Sequence, residues 1–149
     1  MNVEKIQIAD NFKDVLANLQ ITMRTGLSLF RLESGGGADI RNFKKDDVFF
    51  VNQGANEVTV ITDKKNKNLI KGKIITQKDS LAMISLKATT THYRHLPGYV
   101  NLFLAQISKE GINLEDIISS YSQVTFVVQE RDLMAVFELC NKVKSLQYV

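Results

Sequence analysis

Two histidines and a cysteine are the residues whose types suggest metal chemistry. His92 and His95 are three positions apart, and Cys140 would be a third ligand. Imidazole and thiolate groups are the usual ligands of zinc. However, no Asp or Glu lies between the histidines, and Cys140 lies in the apolar segment LMAVFELCNKV, where a cysteine packs as a small hydrophobic residue. The sequence therefore predicts no metal site and no cofactor.

The other reactive side chains form no recognisable catalytic motif. The chain has no GxSxG motif, no phosphate-binding loop and no His-Asp pair beside a plausible nucleophile. The glycine-rich stretch SGGGAD lacks the GxGxxG spacing of dinucleotide-binding loops. We therefore expect that the protein is not an enzyme.

A basic cluster raises the question of nucleic-acid binding. The formal charge is +3 and the pI is near 9.0. Five lysines lie within ten residues, at Lys64, Lys65, Lys67, Lys71 and Lys73. Such a cluster can attract a polyanion, but no aromatic residue alternates with the lysines to stack on bases. A solvated turn between strands is therefore favoured, and nucleic-acid binding is the weaker alternative.

Composition indicates a folded protein of a reducing compartment. The 149 residues, 44% hydrophobic and 23% charged, suit one compact domain or two small ones. A single cysteine excludes a disulfide framework, so we expect the cytoplasm. The apolar runs are short and the segment MNVEKIQIADNF is unlike a signal peptide, so we expect no membrane segment.

The first 36 residues are predicted to form a helical segment. Apolar residues recur at helical spacing, at Phe12, Val15, Leu16 and Leu19. This pattern predicts a helix over residues 11–20, with Asp10 or Asn11 as its N-cap. A less regular apolar stretch, GLSLFRLE, follows and ends at Glu33. Three consecutive glycines then predict a flexible loop and an internal boundary.

Residues 37–79 are predicted to be rich in strands. Two β-rich runs, 48–51 and 58–62, are joined by the turn formers Asn52, Gly54 and Asn56, and this pattern predicts a hairpin. The runs KGKIITQ and SLAMISLKAT are separated by the polar stretch Lys78-Asp79-Ser80. We therefore expect them to be two separate strands.

The only proline opens a predicted helix. Pro97 and Gly98 precede a stripe of Val100, Phe103, Leu104 and Ile107, and Gly111 follows it. Proline is tolerated at a helix start because its missing N–H has no partner there, and glycine adopts the left-handed conformation that ends a helix. The proline and the two glycines therefore predict a helix between Gly98 and Gly111.

The end of the chain completes an α+β pattern. NLEDIISSYSQ and VTFVVQE predict a strand pair, with Val124, Phe126 and Val128 on one face and Thr125 and Gln129 on the other. Residues 132–144 predict a final helix capped by Asp132. From residue 80 the order is strand, helix, strand, strand, helix, and the tail SLQYV or an earlier segment can supply a fourth strand. This is the ferredoxin-like βαββαβ plan.

These residues resemble an ACT domain, in particular the regulatory ACT domains of aspartate kinases. The resemblance rests on PGYVNLFLAQISKEGINLEDI, on the hairpin ISSYSQVTFVV and on LMAVFELCNKV, and it implies an ACT domain over residues 80–149. ACT units of aspartate kinases occur in pairs. The hairpin of residues 48–63 looks like the centre of a second unit, with KNKNLI in place of its second helix. Residues 1–36 and 37–79 are therefore a degenerate second unit or a helical appendage with a hairpin.

The resemblance also implies a ligand site. ACT domains bind small ligands, typically amino acids, where the first loop and helix of one unit meet a neighbouring strand. The ligand carboxylate would lie on the amides around Gly98 to Val100, and its amino group near Asn113 to Asp116. The residues so assigned are His95, Leu96, Pro97, Gly98, Tyr99, Val100, Asn113, Leu114, Glu115, Asp116, Ser119 and Ser120.

Three functions follow from these patterns. The first is a free-standing regulatory module that binds an amino acid, forms a homodimer and transmits occupancy to a partner such as a regulated enzyme. The second is a ligand-responsive transcription regulator whose residues 12–32 form a helix-turn-helix. Within these residues, however, Arg24 and Arg31 are the only arginines and Lys13 is the only lysine, which is few for contacts with phosphates. The third is an interaction domain without a ligand.

Overall fold

The computed structural model describes residues 10–88, 98–120 and 122–145, apart from the side chains of residues 10–12 and Tyr99. The α-helices in this part of the chain are α1 (Asp10–Ala17), α2 (Tyr99–Lys109) and α3 (Leu133–Lys144). The strands are β1 (Gln20–Glu33), β2 (Gly37–Ala38), β3 (Phe49–Gln53), β4 (Glu57–Asp63), β5 (Ile70–Lys71), β6 (Ile74–Lys87), β7 (Asp116–Ser119) and β8 (Gln123–Gln129). The predicted α+β class is confirmed.

The first helix forms where the apolar spacing predicts it. Val15, Leu16 and Leu19 are buried, so the predicted apolar face is the packed face. The helix ends at Ala17, three residues before the predicted end. The Asn18 side chain donates a hydrogen bond to the carbonyl of Asp14 (2.8 Å), and β1 begins at Gln20.

A strand occupies the segment that the helix-turn-helix alternative needs. Residues 20–33 form β1, and the four consecutive residues Leu27 to Phe30 are buried. Because neighbouring side chains of a strand point to opposite faces, this run has both faces covered and shows no alternation of apolar and polar residues. The helix-turn-helix prediction is therefore wrong, since residues 12–32 contain one helix followed by a strand.

The contacts divide the chain into two compact units. The helical unit comprises the residues up to Met23 and those from Ile84 onward, and the strand unit comprises Arg24–Met83. The division falls inside β1 and inside β6, so each of these strands supplies residues to both units. The sequence placed boundaries after residues 36 and 79, in polar and glycine-rich stretches that the structure incorporates into the strand unit.

The helical unit has the strand order of a ferredoxin-like sheet. Its strands lie in the order β1, β6, β8, β7, so the third strand of the strand-helix-strand-strand sequence, β8, lies between the first and the second. Strands β7 and β8 are antiparallel, with Ile117 opposite Phe126. The fourth strand is the start of β1, which is the earlier segment of the two predicted sources. The tail 146–149 lies outside the described residues.

Strand β8 is buried on both faces. All residues from Val124 to Val128 are buried, including Thr125, which the sequence placed on a polar face. The Thr125 hydroxyl lies 2.7 Å from the hydroxyl of Ser85, which is also buried. This hydrogen bond allows a threonine to occupy the second covered face, because a buried hydroxyl needs a partner. The predicted polar face is therefore wrong at Thr125.

The strand unit has the same strand order without α-helices. Its strands lie in the order β3, β4, β1, β6, with β4 antiparallel to both neighbours, and β2 pairs with β5 in a small second sheet. The predicted hairpin is β3 and β4. The segment KNKNLI begins within a six-residue 3₁₀ turn, Lys64–Leu69, where a second helix would otherwise lie. One face of the sheet has a core of Phe30, Leu32, Val58 and Val60, against which Phe49, Ile70 and Ile74 pack.

The triple glycine packs closely against another part of the strand unit. The N–H of Gly36 donates to the carbonyl of Glu33 (2.9 Å), and Gly37 pairs with Lys71. A Cβ added to Gly72 would lie 2.8 Å from the Cα of Gly36. The glycines therefore allow two backbone segments to touch, and the predicted flexible loop is instead an ordered turn.

Strand β6 unites the two strands that the sequence separated. It runs for 14 residues through Lys78-Asp79-Ser80, with Ser80 in the left-handed region (φ 57°). The Asp79 carboxylate accepts hydrogen bonds from the buried Ser28 hydroxyl (2.6 Å) and from the Gln77 amide (2.9 Å). The polar residues remain in the strand because Asp79 satisfies a buried hydroxyl of β1.

Two aspartates fix the segment that precedes β3. The Asp63 carboxylate accepts the Val48 N–H (2.9 Å) and pairs with Arg24 (2.9 Å). The Asp47 side chain, only 3% exposed, accepts the Lys44 N–H (2.8 Å) and pairs with the Lys65 ammonium (3.0 Å). These two bonds, the first above all, lower the pKa of Asp47 to about 2. The carboxylates thus hold loops where a ferredoxin-like unit has helices.

We expect Gly72→Ala to lower the free energy of unfolding. Gly72 has φ +103°, which disfavours any side chain, and the new methyl group would meet the Gly36 backbone at 2.8 Å. Together these effects cost about 2 to 4 kcal/mol. Urea denaturation would measure the change. The matched control is Gly37→Ala, because no atom lies within 4 Å of a Cβ there. Equal stability of the two variants would contradict the close approach.

We expect Asp47→Asn to remove an acid-sensitive part of the stability. Because the pKa of Asp47 falls to about 2 in the folded protein from an ordinary value near 4, its contribution is complete above pH 4. That contribution is lost as the pH falls from about 4 to about 2. The wild type should therefore melt at a higher temperature than Asp47→Asn at pH 6, and the difference should shrink at pH 2. A constant difference would show that the carboxylate charge is not involved.

Candidate ligand site

The N-terminus of α2 is an exposed backbone site. Gly98 precedes the helix, is exposed and has φ +86°. Its carbonyl accepts the N–H of Leu102 (3.4 Å), and it has no side chain with which to cap the other N–H groups of the first turn. Helix N-termini attract anions because their N–H groups point outward. The helix itself is confirmed, with Phe103 and Ile107 buried along the predicted stripe.

The C-terminus of α2 closes as predicted. Gly111 has φ +71°, and its N–H donates to the carbonyl of Ser108 (3.0 Å). The N–H of Ile112 reaches back to the carbonyl of Ile107 (3.3 Å). This left-handed glycine turns the chain away from the helix axis and directs Asn113 and Leu114 toward β7.

An open pocket of about 460 Å³ lies at this end of α2. Its lining residues are Leu104, Ile107, Ser108, Gly111, Ile112, Asn113 and Leu114. The assigned residues Asn113 and Leu114 thus belong to a real concavity. The other lining residues were not assigned from the sequence. One of them, Leu104, could have been proposed from the sequence because it continues the apolar stripe of α2. In the structure Leu104 is only half-buried.

The remaining assigned residues lie along β7 and its turn. Glu115 donates its N–H to the carbonyl of Val127 (2.8 Å), which fixes the start of the strand. The Asp116 carboxylate accepts the N–H of Ile117 (2.7 Å). Ser119 is exposed, and the Ser120 N–H donates to the carbonyl of Gln123 (2.9 Å), which closes the turn to β8. These residues are ordered by backbone bonds of the hairpin.

Within one chain, the residues assigned to the ligand form two groups that lie apart from each other. Val100 and Gly98 lie at one end of α2, and Asn113 lies beyond the other end. The helix has 11 residues, which corresponds to a length of about 16 Å. The amino and carboxylate groups of an amino acid share one carbon atom. The amides near Gly98 and the polar groups near Asn113 of one chain therefore cannot contact both groups of the same amino acid.

Several residues singled out from the sequence cannot be placed in this geometry. His95, Leu96 and Pro97 lie outside the described residues, as do His92 and the side chain of Tyr99. Within the part of the chain that the structure describes, no three His, Cys, Asp or Glu side chains could hold a metal ion together. None of the helices described is long and apolar enough to cross a membrane.

Cys140 is a packed thiol. It lies fully buried on α3 with Val136 and Val143 on the same buried face of the helix. Burial raises the pKa of the thiol to about 12, so that the group stays protonated at neutral pH. A cysteine that binds a metal or acts as a nucleophile must be a thiolate, whereas Cys140 stays a thiol. The environment of Cys140 is therefore explained by packing in the core.

The lysine cluster and the two arginines are largely paired. The cluster pairs with carboxylates at Lys64–Asp79 (3.6 Å), Lys65–Asp47 (3.0 Å) and Lys73–Glu33 (3.2 Å). Arg31 donates from Nε to Glu57 (3.1 Å) on the neighbouring strand. Carboxylates beside these cations weaken the field that phosphate groups would meet. The arrangement favours the solvated turn over a nucleic-acid surface.

Known structures share this fold at low sequence identity. The regulatory subunit of aspartate kinase from Thermus thermophilus is 11% identical, with a TM-score of 0.61 over 83% of this chain and 97% of that one. Aspartate kinase from Synechocystis is 15% identical, with a TM-score of 0.67 over 86% of this chain and 27% of that one. Aspartate kinase from Clostridium acetobutylicum is 14% identical, with a TM-score of 0.61 over 80% and 33% of the two chains.

The chain thus spans a third or less of these two whole kinases. No protein-family model matches the sequence, and no curated protein matches it. The similarity includes a regulatory subunit over nearly its whole length, and it extends over both units of the present chain. The predicted resemblance is therefore confirmed at the level of fold: the chain has the ACT-type, ferredoxin-like fold of the regulatory domains of aspartate kinases.

Proposed function

We propose that the protein is a regulatory module without catalytic activity that binds an amino acid and transmits occupancy to a partner, such as a regulated enzyme. The observation that carries the proposal is the shared fold with a regulatory subunit of aspartate kinase that is covered over 97% of its length. The absence of a catalytic motif in the sequence supports it. Because the sequence has one cysteine and therefore no disulfide framework, we propose that the protein acts in the cytoplasm.

The two ends of α2 offer complementary contacts for an amino acid. The N–H groups that follow Gly98 suit a carboxylate. The pocket near Asn113 combines an exposed amide with apolar walls from Leu104 and Leu114, and these suit an amino group and an apolar side chain. The N-terminus of α2 suits the carboxylate and the pocket suits the amino group and the side chain. This supports a ligand that contacts both ends of an α2 helix.

The distance between the residues at the two ends of α2 is the reason why the proposed site needs a homodimer. Because one chain holds Gly98 and Asn113 about 16 Å apart, a single amino acid can contact both only if two copies supply them. A two-fold symmetric dimer brings the α2 N-terminus of one copy to the Asn113 region of the other, and it forms two equal sites. Ligand binding and dimerisation are then linked.

We expect one class of amino acid to raise the melting temperature of the wild-type protein and not that of Asn113→Ala. A ligand that binds only the folded state at about a hundred times its Kd adds about 2.7 kcal/mol, which is several degrees for a chain of this size. Asn113 is exposed, so its replacement should leave the unliganded protein stable. Asn141→Ala, at an exposed position of α3, is the control and should keep the shift.

A different pattern in this screen would contradict the proposal. If no amino acid shifts the melting temperature, the interaction domain without a ligand becomes the better explanation. If Asn113→Ala keeps the shift as fully as Asn141→Ala does, the amide of Asn113 is not part of the site.

We expect two inactive variants to complement each other if the site lies between two copies. Gly98→Ala and Asn113→Ala should each lose binding. The first adds backbone strain because φ is +86°, but no atom lies within 4 Å of the added Cβ, so we expect it to fold with a lowered melting temperature, which circular dichroism would check. In their heterodimer, one of the two sites combines an intact Gly98 with an intact Asn113. Mixing the variants should restore roughly a quarter of the sites, as measured by calorimetry. No recovery, with subunit exchange verified, would contradict a shared site.

A further inference from the structure

The strand unit contains a polar pocket that lies apart from the residues assigned to the amino acid. It has a volume of about 510 Å³, within the range of small-molecule sites. Its lining residues are Asn42, Lys44, Lys65, Asn66, Asn68 and Leu69. Five of these six side chains end in an amide or an ammonium group, and only Leu69 is apolar. All five present N–H donors.

Several donors of this pocket are held by a buried network. Asp47 fixes the Lys65 ammonium (3.0 Å) and the backbone N–H of Lys44 (2.8 Å). Asn66 is only 7% exposed, and its amide donates to the Thr62 hydroxyl (3.3 Å). That hydroxyl in turn donates to the carbonyl of Val48 (2.6 Å). This network fixes the backbone at Lys44 and the side chains of Lys65 and Asn66, whereas the side chains of Asn42, Lys44 and Asn68 are exposed.

The strand unit that contains the pocket has a positive formal charge. Residues 24–83 contain 11 Lys and Arg against 7 Asp and Glu, so the strand unit has a formal charge of +4 and the whole chain has +3. Asp47 offsets the charge of Lys65, but the Lys44 ammonium pairs with no carboxylate among the residues that the structure describes. Lys44 is thus a cation at the pocket whose charge is not compensated by a neighbour.

We propose that this pocket binds the phosphate group of a small molecule, with the Lys44 ammonium as the charged contact and the Asn68 amide as a neutral donor. The Asn42 amide already donates to the Asp39 carboxylate (2.6 Å), so only its second N–H is available to the ligand. An ammonium group and several N–H donors match the oxygens of a phosphate, and lysine is a common phosphate-binding residue. The volume exceeds that of a phosphate ion, which leaves room for the molecule that carries it. A second ligand thus acts on the strand unit, apart from the amino acid.

The test is a titration of the full chain with inorganic phosphate, observed by NMR at constant ionic strength. We expect saturable shifts of backbone amides in residues 42–47 and 64–69, with chloride as the reference. Lys44→Gln should weaken binding about tenfold, because it removes one charged hydrogen bond. Lys45→Gln removes the same charge from the next residue, which is also exposed but does not line the pocket, and it should change the affinity less than twofold.

Three outcomes would overturn the proposal. The first is the absence of saturable shifts in these segments. The second is equal weakening by Lys44→Gln and Lys45→Gln, which indicates general charge attraction. The third is binding of a single-stranded oligonucleotide without binding of inorganic phosphate, which indicates a nucleic-acid surface. Retained phosphate binding in Asn113→Ala would separate this result from the amino-acid site.

Discussion

The fold depends on two 14-residue strands, each of which hydrogen-bonds within both units. β1 lies at the edge of the helical unit and at an inner position of the strand unit, whereas β6 has the inner position in the helical unit and the edge of the strand unit. A four-stranded ferredoxin-like sheet requires all four strands for its hydrogen bonds. Among the described residues, the segment from residue 80 onward contributes only three strands to its sheet. The start of the chain is therefore a structural part of the helical unit.

The strand unit shows how a ferredoxin-like sheet can be covered without helices. Its apolar face is built on Phe30 and Val60. The residues that pack against this face are the first residues of three strands, Phe49 of β3, Ile70 of β5 and Ile74 of β6. Loops carry many backbone groups that cannot pair with one another, so they need other partners. Asp47 and Asp63 provide such partners by accepting backbone N–H groups, and the glycines at 36 and 72 allow the segments to approach. Asp47 also holds the Lys65 ammonium and the backbone N–H of Lys44, two residues that line the polar pocket.

The two units therefore differ in what they offer to a ligand. The helical unit retains a helix whose N-terminus is opened by a left-handed glycine and whose C-terminus borders a mixed apolar and polar pocket. The strand unit lacks this helix and offers fixed polar donors with excess positive charge. This difference supports distinct ligands for the two units. The length of α2 is the physical reason for our proposal that two chains share one amino-acid site.

The sequence by itself determined the elements whose signals are local. Proline and glycine delimit α2, a helical spacing marks α1 and α3, and turn formers mark the β3–β4 hairpin, because each of these signals depends on neighbouring residues alone. The βαββαβ order and the resemblance to ACT domains followed from these elements.

Only the tertiary structure decided the features that depend on distant partners. Strand β1 was not recognised because its apolar residues fall on both faces, with Leu27 and Leu29 on one and Phe30 and Leu32 on the other, so the pattern shows no single apolar face. Thr125 and Asp79 lie within strands because hydroxyl groups on other strands satisfy them. The contacts divide the chain within β1 and β6, whereas the glycines pack against Gly72 within the strand unit. The sequence predicts one site that includes Gly98 and Asn113, but helix α2, which the two glycines already delimit, lies between them. The distant partners of buried groups such as Thr125 and Asp79 are set by packing, which no local pattern encodes.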